Sequence, residues 1–167
     1  KGADIRSETY GLYSLSGTAP AGTSSVYVYF WKDTTVGSAL IDDICLSLVA
    51  NPANSPTPAC ASNLAQNPGF ESGLAPWNGW NGPATSADAH SGAKAVAITA
   101  ARAGVTQRIP AAGNQQFVLT AWGKTSDPLS GIGLSFFGPT GAQIGLDSYA
   151  AIASSVYAPT TLSATAP

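Results

Sequence analysis

The stretch Ser25-Val26-Tyr27-Val28-Tyr29-Phe30-Trp31-Lys32 decides the fold class. Six of its eight residues are valine or aromatic, the types that fit a pleated, half-buried strand. Its side chains alternate in kind. Val26, Val28 and Phe30 point one way, and Tyr27, Tyr29 and Trp31 the other. The same reading extends outward to strands at 39–49, 94–99, 116–124, 131–137 and 160–165, with a weaker one at 105–109. Phe117, Leu119 and Ala121 share a face opposite Val118, Thr120, Trp122 and Lys124. Ile132, Leu134 and Phe136 form a core face opposite Ser135 and Phe137. Turn signals such as Pro68-Gly69, Ala112-Gly113-Asn114 and Thr140-Gly141 separate the runs. Many short strands without helical periodicity predict an all-β chain, a jelly-roll β-sandwich.

Composition narrows the class. Charged residues are 10% of the 167, well under the usual ~25%. The net charge of −2 excludes a nucleic-acid binder that works through a basic patch. Low charge and ample apolar content argue against disorder. No apolar run approaches membrane-spanning length. The chain opens at Lys1 without Met, and reads as a mature product or a window from a longer chain. Cys45 and Cys60 lie 15 apart with no CxxC and no neighbouring His, so zinc does not fit. They read either as a disulfide adding about 3 kcal/mol or as two free buried thiols.

Residues 51–59 carry three prolines, which makes 51–62 a semi-rigid linker. An internal repeat crosses this boundary. Shifted by 147, residues 1–20 fall on 148–167 with identities at Ala3/Ala150, Ile5/Ile152, Ser7/Ser154, Tyr10/Tyr157, Leu15/Leu162, Ser16/Ser163, Thr18/Thr165, Ala19/Ala166 and Pro20/Pro167. Nine matches in twenty is far above chance. Residues 1–50 therefore read as the C-terminal strands of one module, and 63–167 as the N-terminal part of the next, lacking its last two strands. Such an open sandwich needs completion. The strands come from 21–50 of the same chain, from a neighbouring copy, or from the next stretch of a tandem chain.

The segment Asn67-Pro68-Gly69-Phe70-Glu71, with Trp77 and then His90-Ser91-Gly92, resembles the start of jelly-roll carbohydrate-binding modules of the family four, nine and twenty-two type. Val105-Thr106-Gln107 and Phe117–Lys124 resemble later parts of that pattern. Val26-Tyr27-Val28-Tyr29 and Ile41-Asp42-Asp43-Ile44 resemble its end, in permuted order. The resemblance implies a polysaccharide or surface glycan as partner, held on an aromatic-lined concave face by Trp122, Trp31, Tyr29, Tyr27 and Phe137, with Gln107 and Lys124 as hydrogen-bonding groups and Trp80 at the rim. The alternative for these aromatics is packing at an interface. It implies a structural role for Trp77. It also implies a structural calcium at Glu71 and Asp43, hard oxygen ligands of the right kind; the alternative is two acids facing solvent or capping backbone amides.

Catalysis finds little support. Asp42 and Asp43 are adjacent, so plain strand alternation sends them to opposite faces. His90 is the single histidine, and no G-x-S-x-G surrounds a serine. The expectation is a secreted, non-catalytic carbohydrate-binding module, one repeat of a longer extracellular or cell-surface protein. The alternative is a structural repeat of a filament, assembled head to tail with other copies by strand complementation.

Overall fold

A computed structural model describes residues 7–49, 60, 62–127, 129–152 and 160–163. These contain no helix. The strands are β1 (Ser7–Thr18), β2 (Ser25–Lys32), β3 (Ala39–Leu48), β4 (Asn78–Trp80), β5 (Ala84–Ser86), β6 (Ala95–Ile98), β7 (Ala103–Pro110), β8 (Gln116–Thr125), β9 (Ser130–Phe137), β10 (Gln143–Ala151) and β11 (Thr160–Ser163). They make a β-sandwich. One sheet runs β11-β1-β8-β3-β6-β5 and the other β10-β9-β2-β7-β4. All pairings are antiparallel except β1 with β11.

The first three strands are threaded among the later ones. β2 lies between β7 and β9, β3 between β6 and β8, and β1 beside β8. The chain's own N-terminal segment thus completes both sheets. Without β2, the facing edges of β7 and β9 would carry unpaired N–H and C=O groups. Most of the linker, 51–59 and 61, lies outside the described residues, as do 164 and 165 of the last predicted strand.

The core follows the alternation. Val26, Val28 and Phe30 of β2 pack in one apolar cluster with Ile41, Ile44 and Leu46, with Phe117, Leu119 and Ala121, and with Ile132, Leu134 and Phe136. β2 matches its predicted limits, and β3, β6, β7, β8 and β9 differ by one or two residues. β1, β4, β5 and β10 are strands that alternation did not reveal. Gly11 and Gly17 dilute the apolar signal of β1, and Gly145 and Asp147 that of β10, whose face is mostly exposed.

One charge breaks the pattern on the core face. Lys32 follows Phe30 in the inward phase, and its side chain is fully buried. Its Nζ lies 3.0 Å from Oδ2 of Asp127, equally buried, and donates to the Thr34 carbonyl. The Thr34 hydroxyl donates to the same Asp127 oxygen. The other oxygen accepts the Leu129 N–H at 2.6 Å. The end of β2 is thereby bolted to the β8–β9 turn.

Cys45 and Cys60 form a disulfide, with Cα atoms 6.0 Å apart. Cys45 sits on the outer side of β3, opposite Thr120 of β8. Replacing both cysteines with serine is expected to lower stability by about 3 kcal/mol, read as a lower urea midpoint at unchanged slope. A loss under about 1 kcal/mol would show that the bridge does not constrain the unfolded chain in this way.

Candidate functional site

The outer face of the five-stranded sheet carries most of the aromatics singled out in the sequence. Strand register arranges them in rows. Trp80, Gly104, Trp31, Gly131 and Ala151 lie side by side across β4, β7, β2, β9 and β10. The next row is Asn78, Thr106, Tyr29, Gly133 and Tyr149. The third begins Arg108, Tyr27 and Ser135. Phe137 follows on β9, its ring centroid 4.6 Å from that of Tyr27. Tyr27, Tyr29 and Trp31 form a line about 13 Å long along one strand.

Glycines let the rings lie down. A Cβ at Gly104 would overlap the Trp80 ring, and one at Gly133 the Tyr29 ring. At Gly131 the Trp31 indole nitrogen is 3.4 Å from where a Cβ would stand. Each of these three aromatics is thus flanked by a position with no side chain to prop its ring upright. The result is a low aromatic platform, in which Tyr27, Tyr29 and Trp31 are half-buried, and Trp80 and Tyr149 exposed.

Polar groups border it. The Arg108 guanidinium lies 5.9 Å from the Tyr27 ring centroid, within cation–π range. The Ser135 hydroxyl donates to Asp147 at 2.6 Å, and Gln143 Nε2 donates to the same oxygen at 2.7 Å. Burial, with the nearby Asp147 charge adding to it, pushes the Tyr29 phenol above its ordinary pKa. Tyr29 therefore stays a neutral hydroxyl at physiological pH.

Three expected members of this surface lie elsewhere. Gln107 is a correction. It belongs to the inward phase of β7 with Val105 and Ile109 and is 4% exposed. Its Oε1 accepts the Gln66 N–H at 2.8 Å and its Nε2 donates to the Gln66 carbonyl at 3.0 Å. Both ends of the amide are engaged, so it cannot meet a sugar. Trp122 and Lys124 lie on β8, on the outer face of the other sheet. Trp122 stacks on His90 with centroids 3.9 Å apart and planes 10° apart. Lys124 pairs with Asp88 at 2.6 Å and lies over the Tyr10 ring. Tyr10 donates its hydroxyl to the Asp88 carbonyl. Burial, then the charges of Asp88, Asp42 and Asp43, raises the Tyr10 pKa.

The two adjacent acids are a second correction. A register shift between Asp42 and Cys45 interrupts the β3–β8 ladder, and Asp43 takes a left-handed conformation with φ of 47°. A bulge re-aims a side chain that plain alternation would send away. Both carboxylates consequently grip one loop. Asp42 Oδ2 accepts the N–H groups of His90 at 2.8 Å and Ser91 at 3.1 Å. Asp43 takes His90 Nδ1 at 2.7 Å and the Ser91 hydroxyl at 2.8 Å. Burial raises the Asp42 pKa, and N–H donation from Ser91, Asp43 and His90 offsets part of that.

Glu71 holds the far end of the same loop. Its Oε1 accepts the N–H groups of Ala93 at 3.0 Å and Lys94 at 2.9 Å. Glu71 and Asp43 thus act here as acceptors for the 90–94 loop. Among the described residues, no three His, Cys, Asp or Glu side chains gather to hold a metal. Calcium keeps its sole basis in the resemblance.

Trp77 is structural, as its place in the motif implies. It is 4% exposed, packs on Phe70 with centroids 5.4 Å apart, and donates Nε1 to the Gln66 carbonyl at 2.9 Å. Sequence reading missed Tyr149, Asn78, Thr106 and Arg108 as members of the platform. The signal available was register: once β2 is central, its neighbours' matching positions join its outer face. No helix among the described residues is long and apolar enough to cross a membrane. Comparison with protein-family models, curated proteins and solved structures finds no match in any of the three.

Proposed function

We propose that the chain is an extracellular, non-catalytic binding module that holds a polysaccharide against the outer face of the five-stranded sheet. The observation that carries this reading is the set of flattened rings, Trp80, Trp31 and Tyr29, beside glycines 104, 131 and 133. Pyranose rings present apolar C–H faces edged by hydroxyls. They stack on flat aromatic surfaces and hydrogen-bond to groups at the border. Here the stacking surfaces are Trp31, Trp80 and Tyr29. Asn78 and Thr106 lie in the row of Tyr29, and Arg108 beside Tyr27 in the next, and they supply polar atoms. A line of rings about 13 Å long suits a chain of sugars better than one monosaccharide. The disulfide fits an oxidising compartment.

Retention on insoluble cellulose, chitin and xylan tests the reading. The wild-type protein is expected to bind at least one. Trp31→Ala and Trp80→Ala are each expected to weaken that binding about tenfold, as loss of ~1.4 kcal/mol would. Trp122→Ala, on the opposite sheet, is expected to bind normally. No retention of the wild type on any of them, or equal loss from Trp122→Ala, contradicts the platform.

A further inference from the structure

The repeat reappears in the sheet. β11 pairs with β1 in parallel, and the partners are Tyr13 with Thr160, Ser14 with Thr161, Leu15 with Leu162, and Ser16 with Ser163. Each pair is separated by 147, the shift that aligns 1–20 with 148–167. The strand on the edge of the six-stranded sheet is therefore a second copy of the strand beside it.

What β1 does locally can be compared position by position with what 160–167 offers. Five of the eight residues repeat 13–20: Leu162, Ser163, Thr165, Ala166 and Pro167. Two of the repeated positions are core positions of β1 and its exit. Leu15 is 2% exposed and Ala19 0%. Ala19 also donates its N–H to Gln115 at 2.8 Å and accepts from Asn114 at 2.7 Å. Where the copies differ, two of the three changes fit the place beside β8. Ala164 corresponds to Gly17, at which a Cβ would meet Leu134 and Phe136 at 3.6 Å, ordinary contact. Thr161 replaces Ser14 with a residue favoured in strands, whereas Thr160 replaces Tyr13, a 4% exposed member of the core, with a smaller side chain that gives up part of that packing. Pro159, the counterpart of Leu12, lacks an N–H and sets the limit of the copy that can pair.

We propose that residues 160–167 of one chain take, in a second copy, the place beside β8 that 13–20 otherwise fill, joining copies head to tail. Strand for strand the ladder formed resembles the ladder lost. In backbone pairing the exchange is close to balanced within a pair of molecules, the Tyr13 ring is the packing it gives up, and concentration drives it. The glycan platform lies on the other sheet and stays open along such a chain. The proposal does not rest on the binding reading.

Engineered cysteines test it. Ser16 opposes Val118 across the β1–β8 ladder, and Ser163 is the counterpart of Ser16. In the full chain bearing Val118→Cys and Ser163→Cys, mild oxidation is expected to give covalent dimers and higher multimers. Peptide mapping is expected to show a 118–163 link, and Leu162→Pro in the same background to abolish it. Within one described molecule β1 stands between the two sites, which places them about two strand spacings, ~9.6 Å, apart, beyond disulfide reach. Monomer only, or a 118–163 link within single molecules, overturns the proposal. The unmodified chain supplies an independent readout by light scattering. Mass is expected to rise above 16.8 kDa with concentration, and removal of 160–167 to prevent the rise. A mass fixed at the monomer value at all concentrations overturns it as well.

Discussion

Replacing Lys32 with Met, or Asp127 with Asn, is expected to cost about 3–5 kcal/mol, because either change strips the partner from a buried charge. The two side chains are fully enclosed and 3.0 Å apart. Lys32→Met leaves a buried carboxylate held by the Thr34 hydroxyl and the Leu129 N–H without its counter-charge. Asp127→Asn leaves an ammonium in the core phase of β2. The double variant Lys32→Met/Asp127→Leu is expected to recover most of the loss, since a buried pair contributes little beyond an apolar pair of similar volume. Urea denaturation of the wild type, Lys32→Met, Asp127→Leu and the double variant gives the cycle, with Asp127→Asn as the isosteric single. Single losses under about 1 kcal/mol, or a double variant as unstable as the sum of the singles, would contradict an enclosed pair. The pair matters for the architecture because it ties an N-terminal strand to a turn about a hundred residues further on.

Phe70→Ala is expected to cost about 3–5 kcal/mol, the range for truncating a fully buried aromatic. Phe70 is 0% exposed and packs on Trp77. It holds φ of 58°, a left-handed conformation that a bulky residue rarely adopts. Asn67 organises the same turn, donating Nδ2 to the carbonyls of Gly73 at 2.7 Å and Ala75 at 2.9 Å. The turn thus forces the ring into the core. Alanine keeps the backbone constraint and loses the packing. Trp77 fluorescence in Phe70→Ala is expected to shift to the red as water reaches the indole. A variant with wild-type stability and an unchanged emission maximum would show that the ring does not seal this end of the sandwich.

These two sites mark where sequence reading succeeds and where it stops. Period-2 alternation in 25–32 and 116–124 set the core faces, because a strand buried on one side cannot hide the pattern. The same rule gave no warning of Lys32, whose partner lies far along the chain. It also misdirected Asp43, since a bulge changes the phase and nothing in Ile41-Asp42-Asp43-Ile44 announces one. Gln107 read as a binding group because an amide in a strand looks the same on either face; the phase of Val105 and Ile109 puts it inward. The platform was half legible. Its aromatics stood out, whereas the glycines that flatten them and the separation of Trp122 onto the other sheet depend on which strands become neighbours. β1 and β10 stayed hidden because their glycines and polar residues leave too few apolar side chains to show a period.

β2 and β3 are interior strands of sheets otherwise built largely from the later part of the same molecule. Cross-strand backbone NOEs measure this directly, in a sample mixing labelled and unlabelled chains so that contacts within one molecule are distinguished. The prediction is intramolecular contacts from Phe30 to both Val105 and Ile132, its partners on either side, and from Leu46 to Leu119. NOEs confined to residues within 7–49, or seen between chains alone, would contradict it.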